Sequence, residues 1–357
     1  MTALTQSHKN MVLFAGTYPK SIKNDLHNVA KDLNLTILPA SIGAFKSGER
    51  FCELYPGQKE TFAQNKADIA GANVHVVLSM NSNPDKFFFD AINIVETIAD
   101  CDPATIHVVM PFAPFARQDR AFDKRFVSRM AKTFPKHLKT AGADMITTID
   151  VHSDDAERAY INCFGADNVQ FLSMLYPFSH KVKTLGNSQD RVVFGAPDGG
   201  DKPDDVAQRK ARRIAKSLYG SQMDPQKHMF FITKRHKGIN TTEVMNLQGD
   251  VKDAQAVILD DMADTGGTLV NGARALKNAG AKKVIATFTH PILSGNSLSR
   301  LTSPTIEDKE NPIDMLITTD SIMGIYAKAK RLTDDQRSRL HILPTAALVS
   351  GALRMRM

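Results

Sequence analysis

Val257-Ile-Leu-Asp-Asp-Met-Ala-Asp-Thr-Gly-Gly-Thr-Leu269 decides how the rest of the chain is read. The apolar run from Ala256 to Leu259 reads as a short buried strand closed by two adjacent carboxylates, Asp260 and Asp261. A third acid, Asp264, follows, then the hydroxyl- and amide-rich turn Thr265-Gly266-Gly267-Thr268. From there Leu269, Ala273 and Leu276 recur at helical spacing. A strand, a glycine turn and a helix in this order make an anion cradle. Glycines let backbone amides approach a phosphate, and the helix N-terminus adds a favourable dipole. The acids would repel that phosphate, so they suit sugar hydroxyls or a cation carried by the substrate. Together the two halves describe a pocket for a sugar phosphate.

Outward from this stretch, strands and helices alternate, which implies α/β layers around parallel sheets. Strands are expected at His75 to Met80, Ile106 to Pro111, Met145 to Val151, Arg191 to Ala196, His228 to Thr233, Ala256 to Asp260 and Lys283 to Thr289. Helices are expected near Asp205 to Tyr219, at Thr268 to Ala279, and at Phe126 to Thr140, where Pro135 should kink or split the element. Leu301 to Pro312 is polar and proline-bounded and reads as an exposed loop, whereas the apolar stretch from His341 to Gly351 must pack.

The 357 residues leave room for two domains, and 42% apolar with 23% charged residues is the composition of a soluble globular protein. Membrane spans need about 18 to 20 uninterrupted apolar residues, and no such run is present. The first ten residues lack the apolar core of a secretory signal, and Cys52, Cys101 and Cys163 match no zinc spacing. A cytoplasmic location with free thiols is therefore expected. The net charge of +7 is spread along the chain without a basic run or interleaved aromatics, which argues against nucleic acid and suits polyphosphate substrates.

Met110-Pro-Phe-Ala-Pro-Phe-Ala-Arg-Gln-Asp-Arg120 follows a strand, and its prolines and phenylalanines should hold Arg117 on a stiff loop. A guanidinium offers a planar fork to phosphate oxygens, and Gln118 and Asp119 can orient it or bind base and ribose. Thr233-Lys-Arg-His-Lys-Gly-Ile-Asn240 is a second basic stretch, also placed after a strand.

These motifs, taken in order, resemble the ribose-phosphate diphosphokinase family. The run Asp260 to Thr268 resembles its ribose-phosphate loop, and Met110 to Arg120 its ATP-binding loop, which simple phosphoribosyltransferases lack. Ala44-Phe-Lys-Ser-Gly-Glu49 resembles its Phe-x-Asp-Gly-Glu segment, Ile149-Asp-Val-His152 its Asp-Leu-His, and Ala196-Pro-Asp-Gly-Gly200 its diphosphate turn. Lys234 with Asn240 and Glu243-Val-Met-Asn246 resembles its catalytic flexible loop. Thr289-His-Pro-Ile-Leu-Ser-Gly295 and Thr319-Asp-Ser-Ile322 resemble two further segments.

The resemblance implies two type I phosphoribosyltransferase-like domains, each a mainly parallel sheet flanked by helices. They would span 10–165, completed by 338–357, and 166–337. It implies transfer of the diphosphoryl group of ATP to ribose 5-phosphate or a related ribosyl phosphate, with Mg²⁺ as cofactor, in a homo-oligomer of dimers, such as a hexamer. Phe45, Ser47, Glu49, Arg117, Gln118 and Asp119 would bind ATP. Asp198, Gly199 and Gly200 would take the diphosphate, and His152 and Asp198 the metal. Asp260, Asp261, Asp264, Thr265, Gly266, Gly267 and Thr268 would bind the ribose phosphate. Lys234, Arg117, His236 and Asp264 would form the catalytic set.

Departures from the pattern also matter. Ser47 stands where the family has Asp or Asn, His236 where it has arginine, and the Asp198 turn is one residue short. They keep two alternatives open: a larger acceptor such as ADP-ribose, or a non-catalytic regulatory homologue. The family's Gln-rich regulatory segment is replaced by Ser153-Asp-Asp-Ala-Glu-Arg-Ala-Tyr160, whose acids would repel phosphate, so weak or absent phosphate activation is expected.

Overall fold

The computed structural model describes residues 9–15, 20–57, 62–119, 127–185, 190–197, 206–235, 244–306 and 309–356. They form two compact units. The first comprises Met1–Leu172, Ser321–Gly324 and Thr345–Met357, and the second Ser173–Asp320 and Ile325–Pro344.

In the first unit the strands are β1 (Asn10–Ala15), β2 (Thr36–Ile37), β3 (Ala40–Ala44), β4 (Arg50–Leu54), β5 (Asn73–Leu78), β6 (Thr105–Met110), β7 (Met145–Ile149) and β8 (Val169–Leu172). Its helices are α1 (Lys20–Asp32), α2 (Phe62–Ile69), α3 (Pro84–Ala99), α4 (Met130–Thr140) and α5 (Asp154–Phe164). Six strands make one sheet in the order β2-β1-β5-β6-β7-β8, with β1, β5, β6, β7 and β8 all parallel. Strands buried on both faces read as continuous apolar runs, which is why Val74 to Leu78 and Ile106 to Met110 were legible. The β3–β4 pair is a separate antiparallel hairpin.

Helix α3 illustrates the local logic. Asn83 caps it by accepting the Lys86 N–H at 2.9 Å, and Pro84 supplies a preset first turn. Phe87, Ala91, Ile94, Val95 and Ile98 then bury one stripe. Helix α4 continues through Pro135 as one element, with Pro135 itself buried; the expected split does not occur, and the described helix begins at Met130 rather than Phe126.

In the second unit the strands are β9 (Val192–Ala196), β10 (Met229–Arg235), β11 (Val244–Gln248), β12 (Gln255–Ala263), β13 (Lys283–Pro291), β14 (Thr305–Ile306), β15 (Lys309–Glu310), β16 (Met315–Thr319) and β17 (Leu340–Leu343). Its helices are α6 (Leu175–Leu185), α7 (Val206–Tyr219), α8 (Pro225–His228), α9 (Gly267–Asn278), α10 (Ser297–Thr302), α11 (Gly324–Ala329) and α12 (Asp334–Ser338), and α13 (Ala346–Arg354) belongs to the first unit. Seven strands pair in the order β11-β10-β9-β12-β13-β16-β17, parallel except for β10 with β11. Leu269, Ala273 and Leu276 of α9 pack with Ala256 and Ile258 of β12 and Val284, Ala286 and Phe288 of β13 in one core.

Three expectations need correction. First, β12 does not end at the acidic pair. Its pairing with β13 continues through Met262–His290 and Ala263–Pro291, so Asp260 and Asp261 lie inside the strand. Second, residues 301–312 are not simply an exposed loop. Leu301, Thr302, Ile306 and Asn311 are buried, and Asn311 donates to the carbonyls of Leu301 and Ser303 at 2.8 and 2.7 Å. Third, the first unit runs to Leu172 rather than 165, takes in Ser321–Gly324, and has a C-terminal segment that starts at Thr345 rather than 338, because β17 completes the second sheet beside β16. Beyond it, Val349 and Leu353 of α13 join Val12, Val77 and Val109 in the core of the first unit.

Candidate active site

The loop after β12 is built from behind by α10. Gly266 caps α9 in the left-handed region at φ 77°, a conformation glycine adopts without penalty. It also sits against Leu301, whose Cδ1 would lie 2.6 Å from an added Cβ. Arg300, one residue earlier on α10, donates from Nη2 to the Thr265 carbonyl at 2.6 Å. Gly267 and Thr268 open helix α9, one residue earlier than its apolar pattern indicated. The turn thus presents the start of a three-turn helix, which is the geometry a phosphate uses.

On the other side of the same loop stand the carboxylates. Asp261 is 9% exposed, and its N–H donates to Asp260 Oδ1 at 2.9 Å. Burial first, and then the neighbouring Asp261 charge, push the Asp260 carboxyl up to about 7, while Lys210 of α7 acts in the opposite sense. Two acids sharing one desolvated corner cannot both ionise easily. Hydroxyl donors of a ribosyl diol would relieve that strain by hydrogen-bonding the ionised forms.

Asp264 is partly buried and lies within electrostatic reach of Lys328 on α11. Lys328 Nζ donates to the carbonyls of Ile292 and Leu293, just past the end of β13 and within the stretch Thr289 to Gly295. Thr319 Oγ1 donates to the Thr289 carbonyl at 2.6 Å, tying the end of β16 to the same segment. Sequence reasoning missed Arg300 and Lys328. Both act on residues about thirty-five positions away, and no local pattern marks them.

In the first unit the β3–β4 turn carries Phe45 to Glu49. Phe45 is 61% exposed and its ring packs 4.9 Å from that of Phe51. Ser47 Oγ donates to Glu49 Oε2 at 2.7 Å, so the serine is engaged by its own hairpin. The loop after β6 exposes Arg117, with Gln118 donating its N–H to the Phe115 carbonyl at 2.8 Å. Asp119 is buried and accepts a hydrogen bond from Ser153 Oγ at 2.5 Å. Ser153 also caps α5, whose first turn holds Asp154, Asp155 and Glu157. Asp119 therefore anchors the Arg117 loop to that helix cap, and the acids serve the helix dipole.

His152 lies just past the end of β7 and is partly buried. Lys234 and Arg235 end β10, beside Met245 and Val244 of β11. Asp198, Gly199, Gly200 and His236 lie outside the described residues. Among the described residues no helix is long and apolar enough to cross a membrane.

Residues 11–142 match the N-terminal domain of ribose phosphate pyrophosphokinase, and residues 187–302 match the phosphoribosyl transferase domain. A ribose-phosphate pyrophosphokinase from Clostridium perfringens is 31% identical over 300 residues, 84% of each chain. The chain belongs to the ribose-phosphate pyrophosphokinase family. A second member, from Buchnera aphidicola, is 29% identical over 341 residues, covering 92% of this chain and 97% of its own. The solved phosphoribosylpyrophosphate synthetase of Mycobacterium smegmatis shares the family fold, with a TM-score of 0.74, 24% identity and coverage of 98% of this chain and 99% of that one. Membership thus extends over both units and includes the β12 loop, Arg117 and the start of the basic stretch at Lys234.

Proposed function

We propose that the protein is an ATP-dependent diphosphokinase that converts ribose 5-phosphate and ATP to phosphoribosyl diphosphate and AMP. The observation that carries this reading is the loop after β12. Its acid pair, with Asp261 buried, and its helix-opening Thr265–Thr268 turn offer one end to a diol and the other to a phosphate.

In this reading Thr265, Gly266, Gly267 and Thr268 hold the 5-phosphate, and Asp260 and Asp261 accept from the 2- and 3-hydroxyls. The anomeric oxygen attacks the β-phosphorus of ATP. The new bond joins that oxygen to Pβ, the bridge between Pα and Pβ breaks, and the bridging oxygen leaves with AMP. Asp264 stands in the acceptor loop as the base that takes the anomeric proton. Lys234, ending β10, and Arg117, on the loop after β6, each carry a charge that would suit the β-phosphate, with Gln118 next to Arg117 and Asp119 holding that loop. Phosphoryl transfer depends mainly on such positioning and charge neutralisation. His236 occupies the place of the family's arginine and Arg235 lies beside it. Phe45 and Glu49 receive the nucleotide, and an exposed ring on a hairpin tip also fits assembly of several copies around a shared nucleotide site.

Magnesium fits the proposed donors. His152, just past a strand end, and the Asp198 carboxylate, which lies outside the described residues, would hold it, a sparse set of the kind this ion accepts. When bound, it supplies charge to the diphosphate; Asp198, Gly199 and Gly200 would hold that group. A cytoplasmic location suits the same reading.

The test is AMP release from ATP and Mg²⁺ with each of two acceptors. Ribose 5-phosphate should support it and ADP-ribose should not. AMP formed only with ADP-ribose would replace the acceptor, and AMP with neither would point to a regulatory homologue.

A further inference from the structure

Lys328 sits on a short helix behind the acceptor loop, and its contacts go beyond packing. Its ammonium donates to two consecutive carbonyls, Ile292 at 2.8 Å and Leu293 at 2.6 Å. Leu293 is fully buried and has φ 48°, a left-handed conformation that a branched side chain adopts only where its surroundings hold it. The same residue donates its N–H to the Ala263 carbonyl at 2.9 Å. Ala263 is the last residue of β12, and Asp264 comes next. Lys328, the 292–293 turn, the end of β12 and Asp264 therefore form one continuous chain of contacts.

An ammonium has three protons to donate, and the carbonyls use two. The charge remains close enough to Asp264 to act on it, while burial weighs against holding that charge there. A group needed only to fill this space would not have to be charged. Keeping an ammonium beside an acid in an acceptor loop has a use if the acid must stay ionised and stay in place. Among the described residues, other titratable groups near these elements include Arg300 of α10, bonded to the Thr265 carbonyl, Asp260 and Asp261 of β12, His290 of β13, buried opposite Met262, and the buried Asp320, which accepts from Tyr326 of α11 at 3.1 Å. Of these, Arg300 holds the phosphate end of the turn, whereas Lys328 acts at its acidic start.

We propose that Lys328 is a positioning residue for the acceptor site, fixing the 292–293 turn against the end of β12 and so holding Asp264 in place for the ribosyl phosphate. The inference rests on the reading of that site given above. It assigns to α11 a role in acceptor use but none in ATP binding. Displacements of about 1 Å in such supports commonly cost on the order of a hundredfold in turnover. Methionine matches the length of lysine without its charge, and arginine retains a cation able to reach two carbonyls.

The experiment compares wild type, Lys328→Met and Lys328→Arg. Steady-state kinetics are measured with ATP, Mg²⁺ and ribose 5-phosphate across pH, and ribose 5-phosphate binding is measured by calorimetry. For Lys328→Met, kcat/KM for ribose 5-phosphate should fall by about ten- to a hundredfold, with its acid limb moved to higher pH, and KM for ATP should stay within about twofold. Lys328→Arg should recover most of the loss and the original limb. Wild-type activity with Lys328→Met within about twofold of it, on both kinetics and calorimetry, contradicts the role. So does an equal loss towards both substrates with an unshifted pH profile, the mark of a general folding defect. A wild type that forms no AMP contradicts the reaction instead, and calorimetry then decides on Lys328: unchanged ribose 5-phosphate affinity in Lys328→Met overturns it, and a tenfold loss supports it.

Discussion

Asp261 donates its backbone N–H to the Asp260 carboxylate at 2.9 Å, and both residues lie within β12 rather than beyond its end. Two acids on consecutive strand residues point to opposite faces in a regular strand. Here the backbone bond ties one to the other just before the loop proposed to take the acceptor.

That relationship sets a pH dependence. Burial and the Asp261 charge raise Asp260 to about 7, so the folded protein binds a proton there that the unfolded chain, near 3.8, has already lost. Stability from this group is present at low pH and declines as pH rises towards 7. Acceptor binding runs the other way, because diol hydroxyls donate to ionised carboxylates. Affinity for ribose 5-phosphate should weaken as pH falls below about 7. Asp261→Asn should bind more weakly overall but move that acid limb to lower pH, since Asp260 loses its charged neighbour. Calorimetric titrations at several pH values check this, and an unmoved limb would count against the coupling.

Gly266→Ala should damage the acceptor site more than the fold. The added Cβ meets Leu301 at 2.6 Å and the backbone must hold φ 77°. Such strain costs about 1 to 3 kcal/mol. Part of it should appear as a raised KM for ribose 5-phosphate with KM for ATP little changed. Equal KM values for variant and wild type would show that the turn does not need glycine.

Lys234→Ala should lower kcat by about 10² to 10³ with little change in melting temperature, the usual loss when one charge facing a developing oxyanion is removed. Turnover near that of wild type would remove Lys234 from the proposed catalytic set.

The first unit should be sensitive to acid. His75 and His107 are each 1% exposed on neighbouring strands, with their Nδ1 atoms 3.1 Å apart. Burial lowers His75 to about 4 and, with the His75 and Arg356 charges, lowers His107 to about 3. Their folded values lie below the unfolded 6.5, so their contribution is complete above 6.5 and is lost as pH falls towards 4 and then 3. Each unit of difference corresponds to about 1.4 kcal/mol per group. Denaturant titrations between pH 7.5 and pH 5 should show falling stability, and a His75→Leu, His107→Leu double variant should flatten the slope. A slope equal to that of wild type would place the acid sensitivity elsewhere.

Much of this was legible because the informative residues are contiguous. The buried strands announce themselves as apolar runs, and Asp260 to Thr268 carries its chemistry in nine consecutive positions. What was not legible depends on contacts distant in sequence. Leu301 looked like the start of a polar loop until α10 placed it under Gly266. The pairing of Ala263 with Pro291 carried β12 past its acids, and nothing near Arg300 or Lys328 marks the carbonyls they reach. Asp119 read equally well as a nucleotide contact. Its bond to Ser153, thirty-four residues later, is what makes it an anchor.

The most direct test of the account follows the β-phosphorus. ATP labelled at that position, incubated with Mg²⁺, ribose 5-phosphate and the protein, should lose its label to a sugar 1-diphosphate, leaving unlabelled AMP. Label retained in ADP beside a sugar monophosphoryl product would mean that only the γ-group moves. That result would contradict diphosphoryl transfer at the β12 loop.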